Sequence, residues 1–158
     1  MKAASLKLIK TELDLLHHDK VKALCMQLVK YRKENKELLS YLLFEADNEQ
    51  NYIKEVNSEI DELFAEINKS NLYLAKKTIR KILRIANKYI KYSGSKQTEV
   101  EILIHFCNNL RNTGVSLSQN TVLGKIYLRQ MIKFQKAVSS LHEDLQFDYA
   151  QEIKNLIN

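Results

Sequence analysis

No proline occurs in this chain, and glycine occurs only at Gly94, Gly114 and Gly124. Proline stops helices because it lacks an N–H and its ring clashes with the preceding turn. Glycine supplies the positive φ that tight reversals need. A chain of 158 residues with so little of either has few sharp turns and almost nothing to interrupt a helix. Asn-Gly and Asp-Gly, the pairs that mark two-residue hairpins, are absent, which argues against an all-β or α/β fold. An all-α fold is expected.

Hydrophobic spacing and end signals predict seven or eight helices. The first runs from about Ser5 to Leu16, and the second starts after Asp19 as N-cap, with Val21, Leu24, Cys25 and Leu28 on one face. The third, about Asn35 to Ala46, carries Leu38, Leu39, Tyr41, Leu42, Leu43 and Phe44. Being apolar nearly all round, it is expected to be buried. Ile53, Val56, Ile60, Leu63 and Ile67 recur by three and four, and after Asn68-Lys69-Ser70-Asn71 the spacing resumes at Leu72, Ala75, Ile79, Ile82, Ala86 and Tyr89. Two such stripes joined by a short polar loop predict an antiparallel helical hairpin.

Ser93 to Thr98 should end that hairpin, with Thr98 capping a sixth, mostly buried helix through Leu110. A break at Asn112-Thr113-Gly114 precedes a seventh helix, about Asn120 to Leu141, and a last one continues to Ile157. The expected architecture is a single-domain, right-handed stack with the third and sixth helices near its centre, either a HEAT-like solenoid of αα-hairpins or an irregular bundle. A degenerate internal repeat is suggested: Lys30-Tyr31 leads to an apolar helix ending Leu42-Leu43-Phe44, and Lys88-Tyr89 to one ending Ile104-His105-Phe106.

The sequence contains no recognisable catalytic constellation. Three dispersed glycines cannot build a phosphate-cradling loop, and neither Gly-x-Ser-x-Gly nor His-Glu-x-x-His occurs. A di-iron bundle needs Glu-x-x-His on two helices. Asp14 with His17 and Glu101 with His105 are the nearest approaches, and neither fits. His17 and His18 read as a polar turn, and His142-Glu143-Asp144 as a helix start. Glu55, Glu59, Glu62 and Glu66 share one helical stripe, which suits a solvated face better than two carboxyls facing across a cleft. No cofactor, metal or small-molecule substrate is implied. Cys25 and Cys107 lie in separate apolar runs without a Cys-x-x-Cys pattern, and no signal peptide or membrane span is legible. A reducing, cytoplasmic setting is the expectation.

The charge distribution is the informative feature. Formal net charge is +6, yet residues 47–69 hold seven acids and two bases, whereas residues 70–92 hold seven bases and no acid. At about 100° per residue, all of those bases but Lys76 fall within an arc of about 100°, opposite the apolar stripe. The acidic stripe of the preceding helix lies on a flank, about 120° from its apolar centre. Residues 113–142 add Lys125, Arg129, Lys133 and Lys136 without an acid.

One reading makes these cations a solvated helix face. The other puts the fifth and seventh helices in one layer, so that Lys77, Arg80, Lys81, Arg84, Lys88, Lys91, Lys125, Arg129 and Lys133 form a binding surface, with Tyr92 and Lys96 beside it. On that second reading the chain is a non-enzymatic interaction or scaffold module. Its partner is an acidic protein or, alternatively, a nucleic-acid backbone bound without sequence preference. A helical metalloprotein with an unrecognised site is a further alternative. Membrane insertion is not expected.

Overall fold

A computed structural model describes residues 2–157, with the side chains of 153 and 155–157 left aside. Eight α-helices and no strand occur among the described residues, so the all-α expectation holds. No helix among them is long and apolar enough to cross a membrane. The chain clusters into two compact units, the first ending at Phe44 and the second beginning at Glu45.

The first unit contains α1 (Leu6–Asp14), α2 (His18–Tyr31) and α3 (Lys33–Ser40), followed by a π-helical turn at Tyr41–Glu45. Ser5 caps α1, its hydroxyl accepting the Leu8 N–H at 3.3 Å. The N-cap of α2 is His17, which makes no side-chain cap bond. Asp19 instead sits in the first turn, where its charge still favours the positive end of the helix. A single extended residue, Arg32, joins α2 to α3, and Asn35 braces the joint by donating to the Leu28 carbonyl at 2.7 Å.

The expected burial of the third helix is not found. No residue of α3 is buried, Phe44 is 76% exposed, and only Tyr41 in the π turn is covered. An apolar run is buried only where neighbours exist to cover every face, and a unit this small cannot provide them.

The second unit is built on α4 (Glu49–Ala65), α5 (Leu72–Ser93), α6 (Lys96–Asn112), α7 (Val122–Val138) and α8 (Glu143–Ile157). At its centre, α6 touches α4, α5, α7 and α8. Its residues Val100, Ile102, Leu103, Phe106, Cys107 and Leu110 have no measurable exposure. Phe106 meets Phe64 of α4 edge-on at 5.5 Å between ring centres. The antiparallel hairpin of α4 and α5 forms as expected. Tyr52 near the start of α4 donates to the Tyr89 carbonyl near the end of α5 at 3.0 Å.

Asn48, Asn71 and Thr121 cap α4, α5 and α7 through side-chain oxygens. Ser95, not Thr98, caps α6, because its hydroxyl accepts the Thr98 N–H and the helix begins at Lys96. That places Thr98 inside the first turn, buried, where it donates to Glu49 of α4. Gly94 closes α5 in a left-handed conformation, φ 68°, whereas the α2–α3 junction at Arg32 is extended, so the two segments compared as a repeat are connected differently.

Gly124 has a distinct role. A Cβ there would stand 2.0 Å from the Ser118 carbonyl oxygen and 2.5 Å from that of Leu117. Both are backbone atoms of the segment that leads into α7, so a methyl group would have to push the loop off the helix. Gly124→Ala is expected to destabilise the protein by about 1–3 kcal/mol despite alanine's better helix propensity. Urea denaturation of the two proteins checks this, and equal or greater stability of the variant would contradict the close approach.

Candidate anion-binding groove

Tyr73, Lys76, Lys77, Arg80, Leu83, Arg84 and Asn87 recur by three and four along one flank of α5 and form one wall of a groove. Val122, Lys125, Ile126 and Arg129 of α7 form the other wall, and the volume between them is about 800 Å³. From residue 73 to 87 the α5 wall runs about 21 Å at 1.5 Å per residue. Both helices lie against α6. At one end Lys133 Nζ donates to Asn87 Oδ1 at 2.8 Å, tying α7 to α5.

The lining therefore carries six cations and no carboxylate, imidazole or thiol. Among the described residues, none of Lys76, Lys77, Arg80, Arg84, Lys125 and Arg129 makes an ion pair. Arg84 Nε only donates to the Arg80 carbonyl at 3.4 Å. Four of the five acids of α4 are engaged elsewhere. Glu59 accepts from the Tyr89 hydroxyl at 2.6 Å, and Glu49 accepts from Ser93 at 2.9 Å as well as from Thr98. Asp61 pairs with His105 at 2.6 Å and accepts from Asn109 at 2.8 Å, both on α6. Glu55 accepts from Asn51 on its own helix at 2.9 Å.

The structure thus brings together Lys77, Arg80, Arg84, Lys125 and Arg129 from the expected set, and adds Lys76. Lys76 was outside the basic arc because the arc centres on the outward ridge, whereas the groove uses the flank that faces α7. Lys81 and Lys91 are exposed on that ridge and do not line the groove. Lys88 Nζ lies 4.7 Å from the Tyr89 ring centre and 5.9 Å from that of Tyr92, and the two rings meet edge-on.

Lys96 and Lys133 have a different role from the one expected. Both contact Glu99, at 2.7 Å and 3.2 Å. Glu99 is only 8% exposed. Burial pushes its carboxyl pKa up, but hydrogen bonds from Lys96 and Lys133, together with their charges, outweigh burial and hold it below its ordinary value. This ion triad joins α6 to α7 at the tied end of the groove. Sequence reading passed over Glu99 because it looks like an ordinary first-turn acid. The signal was its position three residues from Lys96, on the same side of the helix as Phe106 and Leu110.

Other reactive groups lie elsewhere. Burial pushes the Cys107 thiol up to about 12. Burial, then the hydrogen bond to Glu101, pushes the Tyr149 hydroxyl well above its ordinary range. Burial and the same Glu101 raise the Glu152 carboxyl. His17, His18 and Asp19 stand close enough to share an ion, their ligand atoms within 4.8 Å. All three are exposed at successive positions, and the imidazoles already face Asp19 at 3.4 and 3.0 Å. Comparison with protein-family models, curated proteins and solved structures finds no match to this chain.

Glu99→Gln removes the charge that holds Lys96 and Lys133. Two cations would then lack their counter-charge, and a loss of about 1–3 kcal/mol is expected at neutral pH. The pH dependence has a definite sign. A carboxyl whose folded-state pKa is depressed stabilises the fold above its ordinary value of 4.5, and the advantage fades as pH falls through the lower folded value. The stability gap between wild type and variant, measured by urea denaturation, should therefore shrink on acidification. A gap that is constant or widens would show that the triad does not act this way.

Proposed function

We propose that this chain is a non-enzymatic helical interaction module that holds an anionic macromolecule in the groove between α5 and α7. One observation carries the reading: six cations from two helices face a common groove without an ion-pair partner. Exposed ion pairs contribute only ~0–1 kcal/mol each, so gathering like charges has little to offer the fold itself. A partner that brings negative charge gains from every one of them and is steered toward the groove over several ångströms. The lining supplies positive charge and hydrogen-bond donors around an apolar strip, which suits binding rather than bond cleavage. A reducing, cytoplasmic setting accords with the two free thiols, Cys25 and Cys107.

Fluorescence anisotropy with labelled polyglutamate and with a labelled single-stranded oligonucleotide tests the reading. At ~50 mM salt at least one polyanion should bind, and affinity should fall steeply towards ~200 mM. Arg80→Glu combined with Arg129→Glu should weaken binding about tenfold or more. Lys81→Glu combined with Lys91→Glu makes the same change in net charge outside the groove and should do far less. Equal loss from both pairs would mean that diffuse charge, not the groove, attracts the polymer. Failure of both polymers to bind at ~50 mM would end the proposal.

A further inference from the structure

The groove is not purely cationic. Leu83, Val122 and Ile126 lie between its charged residues, and Tyr73 stands at its open end. A site that read only phosphates would have no use for this apolar strip, and one that stacked successive bases would need more aromatic rings than Tyr73 alone. The lining suits a protein segment that presents an apolar anchor flanked by carboxylates.

Such a segment exists on the chain itself. Phe147 of α8 is 82% exposed, the most open aromatic among the described residues. It lies about 160° around the helix from the buried Tyr149, which faces α6 and donates to Glu101. Glu143, Asp144 and Asp148, all exposed, lie within about 100° of Phe147 on the same two turns. Asp144 has one neighbour of opposite character, His142, at 3.3 Å. The only base of α8, Lys154, lies about 10 Å further along the axis.

We propose that the groove of one copy takes up the Phe147 face of α8 from a second copy. The phenyl ring packs on Leu83, Val122 and Ile126, while Glu143, Asp144 and Asp148 meet the cations of the two walls. One contact then accounts for two features that the isolated fold leaves unmatched, an acid-ringed exposed phenylalanine and a cation-lined groove with an apolar floor. Groove and anchor are different surfaces of the same chain, so the contact is head-to-tail and propagates as a ring or an open string of copies. The assignment rests on the groove being an anion-binding site.

Sedimentation velocity of the full chain over a concentration series, at ~50 mM and ~500 mM salt, tests it. Mass should rise with concentration at the lower salt and fall back to monomer at the higher. Phe147→Ser changes a residue that is already open to solvent, so circular dichroism should be unaltered, yet association should be lost. Asp148→Arg and Arg80→Glu should each abolish it alone. An equal mixture of those two proteins retains one intact groove and one intact α8 face, and should form a dimer and nothing longer.

A chain that stays monomeric at every concentration overturns the proposal. So does association that Phe147→Ser leaves unchanged, for instance through the exposed leucines of α1 and α2. If polyglutamate or the oligonucleotide still binds the monomer, the groove reading stands and only its occupant is wrong; if neither binds, both fall. Tight oligonucleotide binding without self-association would assign the groove to nucleic acid instead.

Discussion

The second unit depends on one constraint, the burial of the broad apolar face of α6. A helix apolar over more than half its circumference cannot rest against a single neighbour, because any uncovered part would leave hydrophobic area in water at roughly 25 cal/mol per Å². Covering that face takes several helices, and α4, α5, α7 and α8 supply them. Two consequences follow directly. The two helices that flank α6 before and after it in sequence, α5 and α7, both pack on it. They are also held near one another without packing closely, since α6 occupies the space between their inner faces. The groove is the gap left on the outside of that arrangement, so its position follows from the core and its chemistry from the residues on the two flanks.

The electrostatics depend on the same packing. The acids and bases of the α4–α5 hairpin look matched in the sequence, and a simple count would have them neutralise one another. The cations of the groove do not pair with them, because the apolar stripe of α5 faces the hairpin partner and α6, and this turns those cations away. Glu49, Glu59 and Asp61 of α4 meet hydroxyl, amide and imidazole groups: Tyr89, Ser93, Thr98, Asn109 and His105. Tyr89, Ser93 and Asn109 are neutral donors, at 2.6–2.9 Å, and bring no second charge to be desolvated. Glu99 is the exception, a buried acid that needs two lysines, and it lies where α7 closes on α6.

Much of this was legible in the sequence for a physical reason. The stripes of α4 and α5 and the apolar saturation of α6 are periodic signals that tertiary contacts reinforce, so helices and core were recovered together. Helix caps were less legible. Asp19 and Thr98 have suitable side chains, but the cap role falls to His17 and Ser95, because the start of a helix depends on backbone dihedrals that composition does not specify. The run from Leu38 to Phe44 misled for a related reason: hydrophobicity predicts burial only when the unit around it is large enough to cover it. In the candidate groove the basic ridge was visible, but the direction it faces was not. A helical wheel fixes angles relative to the core, and the flank that matters is chosen by the neighbour across the gap. Lys76 therefore enters the groove while Lys81 and Lys91 stay outside it.

The groove carries an internal cost that bears on its purpose. Like charges three and four residues apart on a helix repel by a few tenths of a kcal/mol per pair, and Lys76, Lys77, Arg80 and Arg84 contain several such pairs. At physiological ionic strength the screening length is about 8 Å, so cations across the two walls also feel one another. The buried face of α5 outweighs this repulsion easily, since Ile79 and Ile82 alone, fully buried, contribute about 1.5–3 kcal/mol each. A fold with such a margin tolerates the cluster but does not require it, because exposed bases on the ridge of α5 would keep the protein equally soluble without facing α7. The repulsion is relieved only when negative charge enters the groove. On the proposed reading, the cluster is explained by what it binds and not by what it holds together.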